Sequence, residues 1–390
     1  MTLQSNVNVS VRYAPETTFG TAGTSAQALR RVSSSLNLTK DSFASNEVRT
    51  DQQVYDLRHG VRRIGGGIQG ELSTQTWDAF IEASLRGTWA AGGTGGNANL
   101  TSIAVSGSAF VAGSGSFITQ GFKVGDVVRL SGFTHANVNK NFRITALTAT
   151  NMTVYPTPAA MTSQTTFTIA VAGKKVTTGT SKRSFTIEQH YPDSDFSEVF
   201  LGCRVASMSM SLPPTGMATV GFDFQGQDGQ NLAAANAPFF ASPTTETTTG
   251  ILAGLNGSLL INGAASAIVT GLDFQVQNNL SSQPVVGSQI VPEIFYGRTV
   301  VTGNVSVYLQ DESFVNVFLN ESEIDIVAQL DAAGSTDFLC VAVNRVKFTG
   351  ASKTIGPDGG VIVSFPFQAL LKTGSTVYDS GTIVIQRSNT

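Results

Sequence analysis

Charged residues are scarce in this sequence. Only 13% of its 390 residues are Asp, Glu, Lys or Arg, about half the share found in an average soluble protein. The formal net charge is −3, so the chain lacks the basic surface with which proteins grip nucleic acid. Because charged residues are depleted at the centres of protein interfaces, this composition indicates that much of the surface is covered by other subunits.

Cysteines and long apolar runs are also rare. Cys203 and Cys340 lie in corresponding strands of the two repeated units described below, and we therefore expect two buried free thiols rather than a disulfide. No apolar run approaches the ~18 residues of a membrane span, and the N-terminal residues lack the basic and apolar regions of a secretory signal peptide. We expect a protein that is synthesised in the cytoplasm and is not inserted into a membrane.

Motifs of catalysis and of cofactor binding are missing as well. The histidines His59, His135 and His190 are not at metal-ligand spacing, and the chain has no nucleophile elbow, phosphate-binding loop or zinc-type cysteine pair. One polar cluster remains, for which a turn leading into a short capped helix over residues 196–201 is a better explanation than a cation site. The sequence therefore predicts no enzyme, no metal site and no cofactor. The cluster consists of Glu188, His190, Asp193, Asp195 and Glu198.

Glycine and small polar residues replace the missing charge, which favours many short strands joined by tight turns. The chain also resembles itself: four segments of one half match, in the same order, four segments of the other. Self-similarity in a fixed order indicates one fold unit used twice. The matching segments are 35–38 with 271–274, 66–72 with 303–309, 77–81 with 314–318, and 220–225 with 363–368.

This repeat predicts the domain organisation. Residues with no counterpart form an inserted small β-barrel-like domain, because chains tolerate insertions at exposed loop tips. Helical spacing predicts one short helix in each unit, over 77–85 and around 313–320, and residues 1–30 read as an irregular arm. The predicted parts are a first unit over 1–98 and 174–227, an insertion over 99–173, a linker over 228–250 and a second unit over 251–390.

Charge is concentrated in one segment, residues 42–64. The composition is that of a long mixed-charge loop, which is either solvated or docks onto a neighbouring subunit. Its counterpart near 280–298 is almost uncharged, so the two units differ here. The residues of this candidate inter-subunit loop are Glu47, Arg49, Asp51, Asp56, Arg58, Arg62 and Arg63.

An ordered set of five segments is informative. The segments are Tyr-Ala-Pro-Glu-Thr-Thr-Phe-Gly-Thr at 13–21, Glu-Val-Arg-Thr-Asp-Gln-Gln at 47–53, Gly-Glu-Leu-Ser at 70–73 with the helix that follows, Phe-Leu-Gly-Cys-Arg-Val at 200–205, and Gly-Phe-Asp-Phe-Gln-Gly at 221–226. Together they resemble the tail tube (major tail) proteins of long-tailed bacteriophages, in a duplicated form. The resemblance covers residues 1–98 and 174–390, and the inserted residues resemble the modules that decorate such tubes.

The resemblance implies a mainly β fold of two tandem tail-tube-like sandwich or barrel units, each with a flanking short α-helix. Such units form rings that stack into a tube, and one sheet of each unit joins a continuous barrel around the lumen. Three copies of a two-unit chain would make a pseudo-hexameric ring. If each unit gives four strands, about 24 strands at ~4.8 Å spacing give a circumference of at least about 115 Å and a diameter of at least about 37 Å.

The function implied is conduction. The tube encloses a tape-measure protein and later passes double-stranded DNA during genome ejection, in a virion tail that we expect to be flexible and non-contractile. Other implied partners are further copies of the chain, the tail terminator and the distal tail or baseplate proteins. Two alternatives stay open: an adhesive surface protein that binds a glycan or host receptor, and a hydrolase that uses the acidic residues of 188–198.

A conduit must release its cargo, and a basic lining would bind phosphates strongly. We therefore expect a neutral-to-acidic lumen, although the sequence leaves open which face of the sheet looks inward. The candidate lumen-facing residues are Asn37, Thr39, Ser207, Ser209, Ser211, Asp273, Gln275 and Gln277.

Overall fold

The computed structural model describes residues 3–389, so Met1, Thr2 and Thr390 lie outside it. Alternating polar and apolar residues fold into antiparallel strands, and α-helix in the described chain is confined to α1 (Asp78–Leu85), α2 (Asn97–Leu100) and α3 (Ser313–Leu319). The strands are β1 Ser10–Pro15, β2 Gln27–Ala28, β3 Ser33–Ser34, β4 Asn37–Ala44, β5 Leu57–Glu71, β6 Thr94–Gly96, β7 Ile103–Ser106, β8 Ala109–Ala112, β9 Val127–Ser131, β10 Phe142–Leu147, β11 Asn151–Tyr155, β12 Thr168–Val171, β13 Lys174–Thr177, β14 Phe185–Tyr191, β15 Phe196–Leu212, β16 Thr219–Gly226, β17 Asp228–Ala233, β18 Gly257–Ile261, β19 Ala264–Ala265, β20 Val269–Gln277, β21 Ser281–Ser282, β22 Ile294–Phe295, β23 Val300–Tyr308, β24 Ile324–Asp331, β25 Phe338–Phe348, β26 Ser352–Thr354, β27 Ile362–Ala369 and β28 Val384–Arg387.

One long sheet runs through both halves of the chain. Its strands follow the order β4, β5, β16, β15, β20, β23, β27 and β25, and each is antiparallel to the next. β3 continues β4 along β5, and β26 continues β25 along β27. The two halves meet where β15 pairs with β20. We refer to these strands together as the long sheet.

The pairing pattern of the first half recurs in the second. In the first half β1 pairs with β14, β14 with β15, β15 with β17 and β16, β16 with β5, and β5 with β4. In the second half β18 pairs with β24, β24 with β25, β25 with β28 and β27, β27 with β23, and β23 with β20. The mainly β fold expected from the sequence is confirmed.

The register of the strands corrects one detail of the sequence repeat. Phe222 lies opposite Ile68 as Phe365 lies opposite Val305, so these positions correspond. Asn37, however, lies opposite Gly65, and Gln275 lies opposite Thr302. Asn37 therefore corresponds to Gln275 and not to Asp273, which means that the match of 35–38 with 271–274 is out of register by two residues.

Aromatic side chains fill the space beneath the long sheet. In the first half α1 places Trp77 and Phe80 against Phe222 of β16, with ring centroids 5.6 and 5.5 Å apart. In the second half Phe314 of α3 packs against Phe365 of β27 at 5.9 Å. Both predicted helices are thus confirmed; α1 buries its apolar stripe on the sheet, whereas the apolar side chains of α3 are only partly buried. Cys203 and Cys340 are free and buried, as expected.

The inserted segment forms a seven-stranded sheet of its own, in the order β6, β12, β9, β10, β11, β8 and β7. It begins at β6, slightly before the predicted boundary, and has a separate apolar core. The insertion packs on β18 and β24, which we call the outer strands of the second half. Arg143, fully buried, donates to the carbonyl oxygens of Ser258 (2.9 Å) and Val327 (3.1 Å).

Three expectations about local structure were wrong. Residues 1–30 are not wholly irregular, because β1 lies in a sheet beside β14. Residues 196–201 are not a helix but the start of β15, where β14 and β17 pair with its two edges. The first residues of the predicted linker form β17 itself. In each case a distant strand supplies the hydrogen bonds that fix an extended backbone.

Candidate functional site

The eight residues predicted to face a lumen share one face of the long sheet. On β15 and β20, Ser207, Ser209 and Ser211 lie directly opposite Gln277, Gln275 and Asp273. Asn37 and Thr39 lie opposite Gly65 and Arg63, further along the same face. The alternate residues Met208, Met210, Phe274 and Val276 are buried in the core. Side chains alternate between the two faces of a strand, and residues paired across neighbouring strands point to the same face. The predicted set therefore lies on one face.

Short polar side chains bond to one another across this face. The Ser207 hydroxyl donates to the Asp223 carboxylate, and the Ser211 hydroxyl to the Asp273 carboxylate, each at 2.6 Å. An open concavity of about 620 Å³ lies over β15, β20, β23 and β27, and polar residues such as Ser211 and Gln275 line it together with Met210, Phe274 and Phe367. Hydrogen-bonded polar side chains thus cover much of this face.

Carboxylates outnumber cations on the polar face. Arg63 is neutralised by Asp41 at 3.1 Å, and Lys347 lies on β25 opposite Gln368. The remaining carboxylates include Glu71, beside Thr219, and those of Asp223 and Asp273. The surface is therefore weakly acidic, and it offers few positive charges to a polyanion.

The charged segment 42–64 is a hairpin, in which residues 42–44 and 57–64 are paired strands and residues 45–56 form the loop between them. β4 and β5 stay paired as far as Ala44 and Leu57, and the Ser45 amide donates to the Asp56 carbonyl at 2.8 Å. Only Glu47, Arg49, Asp51 and Asp56 of the predicted contact residues lie in the turn, whereas Arg58, Arg62 and Arg63 belong to β5.

The charged residues of this hairpin pair within the chain. Arg49 bonds to Asp51 at 3.2 Å and Arg58 to Asp56 at 2.8 Å, all largely exposed. Arg62 reaches Asp228 at 2.8 Å. Exposed pairs of this kind contribute about 0–1 kcal/mol each, so they leave the hairpin free to exchange partners.

The acidic cluster at 188–198 holds neighbouring segments in place. Glu188 is fully buried and accepts hydrogen bonds from the backbone amides of Phe239 (2.7 Å) and Phe240 (3.1 Å), so it fixes the segment between the two halves. Asp193 accepts from the Ser5 amide at 2.9 Å and from Asn8. These contacts use the carboxylates to hold backbone amides and the Asn8 side chain in place.

Sequence reasoning missed a buried ionic cluster where the insertion joins the rest of the chain. The Lys175 ammonium lies 2.8 Å from Asp126 and 2.7 Å from Asp379. Burial raises the pKa of the Asp126 carboxyl to about 6, against the opposing effect of Lys175. These residues are far apart in the sequence, and no spacing rule links them.

Sequence reasoning also missed the two edges of the long sheet. β15 and β20 each have a neighbour on both sides. Their counterparts, β25 with β26 and β3 with β4, each have a long-sheet neighbour on one side only among the described strands. Unpaired edges present rows of free amide and carbonyl groups, which favour pairing with another chain.

Comparison with known proteins assigns the chain to a family. A family model described as phage tail tube protein matches residues 6–369, and a search of curated proteins returns no match. In the described residues, no helix combines the length and apolarity that crossing a membrane requires. With a match over nearly its whole length, the chain belongs to the phage tail tube protein family and is a structural subunit of the tube in a phage tail.

Proposed function

We propose that three copies of the chain close into a pseudo-hexameric ring through the edges of the long sheet, and that rings stack into a hollow tube. The observation that carries this proposal is the junction of β15 with β20 inside one chain. This junction pairs one half with the next inside a single chain, and we expect the junction between copies to be similar. The free edge of β25 and β26 would meet the free edge of β3 and β4 of the following copy in the same way.

The internal junction supports a specific register for the junction between copies. Ser209 lies opposite Gly221, and its counterpart Ser352 lies opposite Ser364. Because Ser209 also lies opposite Gln275, whose counterpart is Asn37, Ser352 of one copy would lie opposite Asn37 of the next.

We propose that the chain contains two duplicated units, divided as inferred from the sequence. Three copies would then supply the six units of one ring. Four strands of the long sheet come from each half, so six units give a barrel of about 24 strands, at least about 37 Å across at ~4.8 Å spacing. The insertion packs on outer strands of the second half through Arg143, away from the polar face. It would therefore decorate the exterior.

The polar face would line the lumen. Its serine, threonine, asparagine and glutamine side chains and its carboxylates suit a wall that first surrounds a tape-measure protein and then lets double-stranded DNA slide past, since a basic wall would retain phosphates. Tail terminator and distal tail proteins would close the two ends. We propose a flexible, non-contractile tail as the setting.

Cysteine pairs test the ring directly. Asn37→Cys combined with Ser352→Cys should give covalent dimers and trimers in oxidised tubes, seen on a non-reducing gel, with negative-stain microscopy to show the tubes. Ser209→Cys with Gln275→Cys is the matched positive control inside one chain. Asn37→Cys with Lys353→Cys is the negative control, because adjacent strand residues point to opposite faces.

The results separate the parts of this proposal. A ladder that continues beyond the trimer refutes the threefold ring, and tubes without any cross-link refute the edge pairing. A wild-type protein that never forms rings or tubes at high concentration refutes the function itself.

A further inference from the structure

In the described chain, the small hairpin β21–β22 of the second half packs against β15 and β16 of the long sheet. The Arg204 guanidinium donates to the Ile294 carbonyl and forms an ion pair with Glu293. The Gln225 amide donates to the Ser282 hydroxyl at 3.1 Å. The contact buries both members: Ile294 is 0% exposed, and the Arg204 side chain is 4% exposed.

The first half has a corresponding hairpin at the distal end of β4 and β5, where Leu57 is exposed in the described chain. Leu57 lies eleven positions before Ile68, as Ile294 lies eleven positions before its counterpart Val305. The cross-strand pairs agree with this alignment: Phe43 with Arg58 and Ala44 with Leu57 in the first half, and Ser281 with Phe295 and Ser282 with Ile294 in the second. Leu57 thus stands in the position of Ile294, and Asp56 in that of Glu293.

The second half has the matching receptor surface. Lys347 lies opposite Gln368 as Arg204 lies opposite Gln225, so the two cations occupy corresponding positions. An open cavity of about 350 Å³ surrounds Lys347 and is lined by Phe318, Phe348 and Leu370 among others. Its side chain is 38% exposed. Leu57, in turn, is 52% exposed, although its counterpart is fully buried.

We propose that the distal β4–β5 hairpin of one copy occupies the cavity around Lys347 of the neighbouring copy. The Asp56 carboxylate pairs there with the Lys347 ammonium, as Glu293 pairs with Arg204 within a chain, and Leu57 is covered. The inference rests on the ring proposed above and adds a second contact to its junction. It commits to a second copy as the occupant, because the internal junction shows the same two elements in contact.

Neither partner is held tightly in the single chain. Asp56 bonds to Arg58, whose side chain is 83% exposed, and Lys347 lies 3.8 Å from Glu321, which is 84% exposed. Pairs this exposed contribute little. Little free energy is therefore lost when these two pairs are exchanged for one covered pair between copies. In that pair, the charges of Asp56 and Lys347 are complementary.

Charge reversal tests the pairing. Asp56→Lys and Lys347→Asp, each alone, should lower the assembly constant at least about tenfold, as measured by sedimentation of tubes across a concentration series. The double variant should recover most of that loss. Asp51→Lys is the matched control: it lies in the same hairpin and pairs with Arg49, so it should change assembly much less than Asp56→Lys.

A second measurement uses the wild-type protein, in case a variant fails to fold. Tubes made from an equal mixture of ¹⁴N- and ¹⁵N-labelled copies are treated with a carbodiimide, which joins a lysine to a carboxylate in contact with it. Mass spectrometry should find Lys347 joined to Asp56, with mixed-isotope pairs that prove coupling between copies.

Two outcomes overturn this inference while leaving the ring intact. One is tubes in which Lys347 couples only to Glu321 of its own chain. The other is a double variant that assembles no better than either single variant. Wild-type protein that forms no rings overturns the ring and this contact together.

Discussion

Lys175 is shared by two carboxylates at the root of the insertion. Asp126 belongs to the inserted segment, Lys175 to β13, and Asp379 to the loop before β28, so the cluster ties three distant segments together. One lysine cannot neutralise two carboxylates in a buried site, and burial makes the excess charge costly. Burial is therefore the main reason that the pKa of Asp126 rises to about 6, and the charge of Asp379 adds to the rise.

The raised pKa predicts a pH-dependent stability. Between an unfolded value of about 3.9 and the folded value of about 6, the folded state binds the extra proton at Asp126, so this contribution is complete below pH 4 and is lost as the pH rises through 6. Two pKa units correspond to roughly 3 kcal/mol. The melting temperature of the wild type minus that of Asp126→Asn should therefore be higher at pH 4.5 than at pH 7, by a few degrees.

Asp195→Asn serves as the control for this measurement, because Asp195 is exposed and distant from the cluster in sequence. Its difference from the wild type should be the same at both pH values. A wild-type advantage over Asp126→Asn that stays constant or shrinks on acidification contradicts the assignment.

At the scale of elements, the contact between α1 and β5 depends on a missing side chain. A Cβ atom at Gly70 would lie 2.3 Å from the Trp77 ring, which is itself stacked on Phe222 and cannot move away. At Gly65 on the same strand, a Cβ would meet nothing within 4 Å. The two glycines thus differ in what the packing demands of them.

Gly70→Ala should lower the free energy of unfolding by roughly 1–3 kcal/mol, the usual cost of overpacking a dense core. Gly65→Ala should stay within about 0.5 kcal/mol of the wild type. Denaturant unfolding followed by tryptophan fluorescence measures both, since Trp77 reports on this contact. Equal losses in the two variants would show that strand flexibility, rather than the Trp77 contact, sets the cost.

The elements that sequence reasoning found are those that bury one face only. On β15 and β20, small polar residues alternate with Met208, Met210 and Phe274, and this period of two predicts both the strands and their polar face. α1 and α3 carry apolar residues at helical spacing over a sheet. Such patterns are local, so a sequence displays them directly.

The remaining elements are set by distant partners. β14 is buried on both faces although its first residues alternate between apolar and polar, and the short apolar run at the start of β15 fits a helix as well as a strand. β1 and β17 exist because β14 and β15 offer them edges. The same holds for the candidate site: composition predicts a polar face, but the free edges and the cavity around Lys347 appear only once strand order is known.

At the scale of the whole molecule, the long sheet separates two kinds of surface. One side is buried against aromatic residues and the outer strands, and the insertion lies beyond those strands. The other side is open, hydrophilic and weakly acidic. The proposed conduit for DNA would need this asymmetry, because attraction between wall and phosphate would slow transit.

Reversing the charge of the open face should therefore turn a passive wall into a DNA-binding one. Tubes of the double variant Asp223→Lys with Asp273→Lys should retain short DNA duplexes on sedimentation, whereas wild-type tubes should not. Each ring would present six new lysines under threefold symmetry, and neutralising six phosphates predicts roughly a thousandfold loss of affinity between about 50 and 200 mM salt. Asp195→Lys, on an exposed turn before β15, adds charge outside the long sheet and should retain much less DNA with a weaker salt dependence. If both variants bind DNA equally, or if wild-type tubes already retain it, the polar face is not the surface along which DNA passes.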